Sequence, residues 1–406
     1  MDKHIQDSQE QAVGQNPEDD NRNETTKEQA VKDQGRAADG QTADRQPENT
    51  GQTGGRRRGR IKNIPLLIVE ICLLVIAIGV MYVVVTTTDE VEHKEIDKEQ
   101  IIINEEVKET QKEEEKNVTK GYRNIALFGV DARDGQLGRG TRSDSIIIAS
   151  INQDTQEIKL ISVFRDTYLN LSNDTYNKCN AAYAQGGPEQ AINMLNTNLD
   201  LDITDYVTVG FGGLIDAVDA LGGIEMEVTD AELSHLNNYQ LTMAEELGVD
   251  YIPIEHSGKQ LLNGMQATAY CRIRYTKGDD FRRAERQRDV LTAMMEKAKT
   301  APVSSLKEMV TSILPEVETS LGVNEIVSVL GSVTGYNVVA SDGFPFEDSR
   351  VGATVGSKGS CVIPDNLEDN VIELHELLYP EMTYKPSKQV NSISVEIDTL
   401  TAEYRQ

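Results

Sequence analysis

From Tyr270 to Leu291 the chain reads YCRIRYTKGDDFRRAERQRDVL, with six arginines in a protein whose formal charge is −27. ATAYCRIRY has the apolar and aromatic content of a strand. A period of two then puts Arg272 and Arg274 on one face. Two guanidinium groups side by side repel unless an anion lies between them. The segment turns at Lys277–Gly278 and enters a helix near Asp280, where Arg283 and Gln287 are four apart. Val290, Leu291 and Met294 continue that face and point inward. Arginine in a first helical turn also opposes the helix dipole. Polar groups placed against local preference point to a multiply charged anion, a phosphate or pyrophosphate. The alternative is pairing with Asp279, Asp280, Glu285 and Asp289 on a solvated face.

More charged residues sit at the borders of apolar runs. YRNIALFGVD reads as a strand ending at Asp131. TRSD, Thr141 to Asp144, leads into SIIIASI, a β-branched run typical of a central strand covered on both faces. EIKLISVF is a third strand and ends at Arg165–Asp166. Asp131, Arg165 and Asp166 thus lie where strands end, and Arg142 and Asp144 where one begins. Ligands of α/β sheets bind at such edges, although plain surface charge gives the same pattern. No Ser–His–Asp or Cys–His arrangement is evident, so a covalent protein intermediate is not the favoured route.

These residues need elements to hold them. Gly186–Gly187–Pro188 separates two short helices, with Pro188 in the first turn of the second. DYVTVGF reads as a strand, GLIDAVDALGG as a helix closed by Gly222–Gly223, and IEMEV as another strand. Ala231 to Gly258 is poorly patterned and reads as a flap. Past Thr300 come three helical patterns, VSSLKEMVTSIL, NEIVSVLGSV and NLEDNVIELHELL. Strands alternating with helices give an α/β class. The expected organisation is a catalytic domain over 121–300, an extension packed on it over 301–384, and an extended tail over 385–406.

The N-terminal part is different. Residues 1–62 form a polar tail, too poor in apolar residues to fold, ending in the basic RRRGRIK. Residues 63–86 are apolar and long enough to span a bilayer. The basic flank places the N-terminus in the cytoplasm and everything after Thr86 outside. A long preceding tail and the lack of an A-x-A site argue against a cleaved signal peptide. Glu70, inside the span, is assigned no role. Residues 87–120 are Glu/Lys-rich and read as an acidic stalk. An acidic protein is a poor nucleic-acid binder. No CxxC pair or zinc spacing occurs. Outside the apolar run, Cys179, Cys271 and Cys361 are odd in number, leaving a free thiol or an intermolecular bond.

Taken in order, NIALFGVD, TRSD, SVFRDTY, K-x-N-A-A-Y-A-x-G-G-P, ALGGIEMEV, LNGMQATAYCRIR and DFRRAERQ resemble the LytR–CpsA–Psr family of bacterial wall-polymer ligases. The resemblance covers roughly 122–300. It implies a three-layer α/β/α domain with a mixed central sheet and an apolar tunnel for a polyprenyl chain. It implies that Arg142, Arg165, Arg272, Arg274, Arg283 and Gln287 bind the lipid's pyrophosphate. Asp131 and Asp144 would hold Mg²⁺ (or Mn²⁺), a role that suits carboxylate oxygens. Arg142, Arg165, Asp144 and Asp166 would be catalytic, with Asp166 orienting Arg165, capping a turn or acting as base. The donor would be a glycopolymer, of teichoic acid or capsular type, on undecaprenyl pyrophosphate, and the acceptor peptidoglycan. Two other readings stay open: a polyprenyl-pyrophosphate-binding regulator of envelope genes, and a polyprenyl-pyrophosphate phosphatase. The chain departs from the family pattern at Phe164, where proline is usual, at Arg282, where a small residue is usual, and in the loop carrying Arg133 and Arg139.

Overall fold

The computed structural model describes residues 92–93, 96–112, 117, 119–130, 137–138, 140–274, 279–313, 316–322, 325–326 and 332–405. The expected cytoplasmic tail, the expected membrane span, Asp131, Arg133, Arg139 and the Lys277–Gly278 turn lie outside these. Among the described residues no helix is long and apolar enough to cross a membrane.

The chain opens with β1 (Glu92–His93) and α1 (Glu105–Lys112), followed by β2 (Tyr122–Val130), β3 (Ser143–Asn152) and β4 (Glu157–Val163). A small hairpin of β5 (Tyr168–Asn170) and β6 (Tyr176–Lys178) leads into α2 (Asn180–Leu199). Next come β7 (Asp205–Gly210), α3 (Phe211–Ala220), β8 (Ile224–Val228) and α4 (Asp230–Leu247). Then follow β9 (Gly258–Leu262), α5 (Gly264–Arg272), α6 (Asp279–Thr300) and α7 (Val303–Ile313). The last elements are β10 (Val317–Thr319), β11 (Asn337–Phe344), β12 (Arg350–Thr354), β13 (Ser360–Pro364), α8 (Leu367–Leu378) and α9 (Lys388–Thr401).

Seven strands form one mixed sheet in the order β1-β10-β7-β2-β3-β4-β11. β3 is central and antiparallel to both neighbours, with Val130 opposite Ser143 and Ile147 opposite Ser162. Its apolar run alternates between two cores, because successive side chains point to opposite faces. Ile146 and Ile148 join the core with α2, α8 and α9. Ile147 and Ala149 face Leu291 and Met295 of α6. The sheet is therefore covered on both faces, as a β-branched run requires.

Several elements differ from the sequence reading. ATAYCRIRY is not a strand: Ala267 to Arg272 belong to α5 and Ile273, just after it, is extended. Asn263 caps this helix. Its side chain accepts from Gln266 N (2.9 Å) while Gln266 Oε1 accepts from Asn263 N (3.0 Å). Gly264 lies where an added Cβ would come within 2.1 Å of the Ile215 carbonyl oxygen, so α5 packs directly on α3. The cap and this packing override the β preference of Thr268 and Tyr270. The expected flap is mostly the helix α4, started by Thr229, whose N–H donates to Glu232 (2.9 Å).

The expected boundaries at 120 and 300 do not divide the sheet. β10 and β11 are strands of it, so the C-terminal extension is integral rather than packed on. The described part of the stalk is docked, not free. Ile101 is buried in the main core, and Ile102 N donates to Asn193 Oδ1 (2.7 Å). The expected extended tail is the helix α9, whose Val390, Ile393 and Ile397 enter the same core.

Candidate anion site

The antiparallel order of β2, β3 and β4 decides what meets. The start of β3 lies beside the end of β4, so Asp144 faces Arg165. Arg165 Nη1 donates to Asp144 Oδ1 at 2.8 Å. From the first turn of α6, Arg283 Nη2 donates to Asp144 Oδ2 at 3.0 Å. Arg274, just past α5, brings its guanidinium to 3.9 Å of the same oxygen. Asp280 lies within 3.5 Å of Arg274 and 3.9 Å of Arg283. Behind Arg165, Asp166 is paired with Lys178 at 2.8 Å and approaches Arg165 Nε at 3.5 Å.

Asp144, Arg165, Asp166, Asp280 and Arg283 line a pocket of about 190 Å³ between β3, β4, α6 and the β12–β13 hairpin, and Arg274 and Lys178 join it through their ion pairs. Gln287 and Cys361 are in its wall. Four cations (Arg165, Arg274, Arg283, Lys178) against three carboxylates (Asp144, Asp166, Asp280) leave one positive charge in excess. Burial alone would raise the Asp144 carboxyl, but Arg283, Arg165 and Arg274 outweigh it and hold the group below its usual range. Arg283 is 4% exposed, and burial lowers its guanidinium despite Asp144. Among the described residues neither Arg165 Nε nor Arg283 Nε has a hydrogen-bond partner, although both are buried. Such groups are costly to leave unmatched, and an anion with several oxygens would match them.

The other expected site residues fall elsewhere. Arg272 is the last residue of α5 and turns away, its guanidinium 5.2 Å from the Phe211 ring centroid and 5.9 Å from that of Tyr239. Because α5 is helical and Ile273 extended, Arg272 and Arg274 do not share a face. Arg142 is exposed at the start of β3 and makes no ion pair among the described residues. Arg286, between Arg283 and Gln287 in sequence, is structural: it is 1% exposed and its Nε donates to Glu232 at 2.8 Å. Asp280 and Lys178 complete the cluster but were not singled out by sequence. A carboxylate three residues before Arg283, and a lysine after the Arg165 hairpin, were the available signals.

Mg²⁺ binding was expected at Asp131 and Asp144. Asp131 lies outside the described residues. Both oxygens of Asp144 already accept from guanidinium groups. No group of three or more His, Cys, Asp or Glu among the described residues is arranged to hold a metal. The described residues alone therefore do not furnish a magnesium site.

At Phe164 the backbone N–H donates to the Phe344 carbonyl (3.0 Å), which the proline usual at this position in the family could not do. The bond continues the β4–β11 pairing to the rim of the pocket.

Comparison with known proteins adds an independent line. The LytR_cpsA_psr family model matches residues 81–358. The Enterococcus faecalis polyisoprenyl-teichoic acid–peptidoglycan teichoic acid transferase TagU is 32% identical over 209 residues, 50% of this chain and 63% of that protein. The Bacillus subtilis transferase TagV is 29% identical over 221 residues, 52% of this chain and 53% of that protein. Biofilm regulatory protein A of Streptococcus mutans is 30% identical over 227 residues, again 52% and 53%. The matched stretch thus spans less than two thirds of each of these relatives. Among solved structures, B. subtilis TagV superposes with a TM-score of 0.51 at 25% identity, covering 66% of this chain and 99% of that one. TagT bound to LI-WTA gives 0.51 at 20% identity, with 65% and 92% covered, and shows the fold alone.

Proposed function

From a chain that belongs to the LytR–CpsA–Psr family, we propose a membrane-anchored phosphotransferase. It moves a glycopolymer, with one phosphate, from undecaprenyl pyrophosphate to a hydroxyl of peptidoglycan. The observation that carries this reading is the set of three guanidinium groups converging on Asp144, with buried N–H groups that have no acceptor among the described residues. The transferase names of two relatives support the reaction class.

In this reaction the acceptor oxygen bonds to the phosphorus that carries the glycan. The P–O bond to the lipid phosphate breaks, and undecaprenyl phosphate leaves. Phosphoryl transfer asks a protein mainly for positioning and charge stabilisation. Arg165 and Arg283, held in place by Asp144, are assigned to the bridging and leaving oxygens. Asp166, engaged by Lys178, is assigned to orienting Arg165. Arg274 and Gln287 are assigned to the flank of the pyrophosphate. A divalent cation at Asp131 and Asp144 belongs to the proposal, but no step is routed through it. The apolar span 63–86 would anchor the chain with its N-terminus in the cytoplasm and the catalytic part outside.

The test uses the full chain in detergent, a short undecaprenyl-pyrophosphate glycan, Mg²⁺ and uncross-linked peptidoglycan strands. Glycan attached to the strands, with undecaprenyl phosphate released, is the expected result. Release without attachment would make the protein a hydrolase. Binding with neither product would favour a regulator, the reading suggested by the name of the S. mutans relative.

A further inference from the structure

Beside the arginine pocket lies a second one of about 600 Å³, and the two share Phe164 and Phe281. Phe164 and Arg282, two positions at which this chain departs from the family pattern, both line it. Its wall is fixed. The rings of Phe164 and Phe281 meet edge to face with centroids 4.7 Å apart. The Arg350 guanidinium lies 3.8 Å from the Phe281 centroid and 4.9 Å from that of Phe164. Arg350 Nη1 also donates to the Pro345 carbonyl at 2.9 Å. Arg288, 5% exposed, contributes too: its Nε donates to Ser341 Oγ (2.7 Å), and its buried Nη1 has no hydrogen-bond partner.

What differs from the first pocket is what surrounds the lining: Arg274 and Lys178 add two cations to the first through their ion pairs with Asp144, Asp280 and Asp166. In the second pocket three arginines (Arg282, Arg288, Arg350) and four carboxylates (Glu285, Asp289, Asp342, Glu347) share the wall with the Phe164 and Phe281 rings, so donors, acceptors and aromatic faces are interspersed. That mixture suits a neutral polar ring better than a polyphosphate. With a neutral ring rich in hydroxyl and amide groups, carboxylates accept from its hydroxyls, guanidinium groups donate to its oxygens, and aromatic rings cover its C–H faces. We propose that this pocket is a saccharide subsite that takes a neutral amino-sugar ring of the acceptor strand next to the pyrophosphate. The proposal rests on the phosphotransferase reading and adds to it where the acceptor is selected.

The probe is chitotetraose, a neutral oligomer of N-acetylglucosamine, titrated into the full chain in detergent by calorimetry. Inorganic pyrophosphate is titrated in parallel. The variant is Asp342→Asn combined with Glu347→Gln; both residues are exposed, and an asparagine at 342 can still accept from Gly343 N. The expected result is at least a tenfold rise in the Kd for chitotetraose, with pyrophosphate affinity and circular dichroism unchanged. Equal chitotetraose affinity in wild type and variant would overturn the subsite. So would a wild type that binds no chitotetraose at millimolar concentration. Pyrophosphate binding that is absent, or unchanged in Arg165→Ala, would instead sink the donor reading and leave variant-sensitive sugar binding standing.

Discussion

On the sheet face covered by α2, α8 and α9, Ile148, Ile161, Leu199, Val371 and Ile397 are completely buried. On the face covered by α6, Leu291, Met294 and Met295 are only partly buried, as are Leu214 and Ile215 of α3 and Leu306 and Val310 of α7. The first face also carries long-range polar contacts, although Ser150 Oγ, Thr197 Oγ1, His375 Nδ1 and Tyr379 Oη are buried there with no hydrogen-bond partner among the described residues. Asn198 Nδ2 donates to the Asn170 and Met194 carbonyls (2.7 Å each), and Lys159 Nζ donates to the Leu377 and Leu378 carbonyls at the end of α8 (2.9 Å each). The second face keeps half-buried apolar side chains and, at its edge, arginine N–H groups unmatched among the described residues. A face that only has to be stable can fill its volume. A face proposed to admit an anion leaves space and N–H groups open to it. The first face thus presents the larger continuous core, while the second combines a smaller buried cluster around Val218, Ile224, Leu262 and Ile273 with half-buried side chains.

Breaking this division should give effects that separate cleanly. The largest is expected at Arg165. Arg165→Ala should lower transfer by roughly 10²–10³-fold, the loss typical of one preorganised charge-stabilising donor, with little change in Tm. Near-wild-type turnover would remove Arg165 from the site.

Leu374→Ala, in the larger core, should cost about 4 kcal/mol of stability, as large-to-small changes do where neighbours cannot collapse. Activity per folded molecule should be unchanged. A loss of activity without a shift in the denaturation midpoint would show that the two faces are coupled.

His375 sharpens the comparison through pH. Its ring is stacked on Tyr384 with centroids 3.6 Å apart, and Nε2 donates to the Leu199 carbonyl (2.8 Å). Burial lowers its pKa from 6.5 to about 4. The unfolded chain therefore takes up the proton first as pH falls, and stability is lost between about pH 6.5 and 4. The difference of 2.5 units corresponds to about 3 kcal/mol at most. His375→Gln should flatten this part of the stability profile; an unchanged slope would assign it to carboxylates instead.

The smallest effect is expected on the open face. Met294→Ala should destabilise by only about 1 kcal/mol, because its side chain is only partly buried. A loss as large as at Leu374 would mean that this face is packed like the other.

Much of this was legible in the residues. The β-branched run at Ser145–Ile151 announced a central strand covered twice, and β3 is that strand. Gly186–Gly187–Pro188 announced a break, and Gly187 is the non-helical residue inside α2 (φ 70°, ψ −157°). Arg165, Arg274 and Arg283 were singled out and do converge on Asp144. Arg272 was grouped with them through a strand periodicity that α5 does not have. The structure replaces that periodicity with a helix capped by Asn263 and Gln266. Asp280 and Lys178 could not be ranked, because a carboxylate or lysine near an arginine is as common on bare surface as in a site.

The sequence by itself determined the elements whose signals are local: the apolar strands, the helix breaks, and an arginine supply too concentrated for an acidic chain. Tertiary structure alone decided which arginines share a carboxylate, because that depends on β3 running antiparallel to β4 and bringing position 144 beside 165. It also decided that residues beyond 300 complete the central sheet, since pairing between Val317–Thr319 and β7, or Asn337–Phe344 and β4, leaves no short-range mark. Local propensity is set by neighbours within a few residues, whereas register and long-range pairing are set by burial that only the assembled sheet provides.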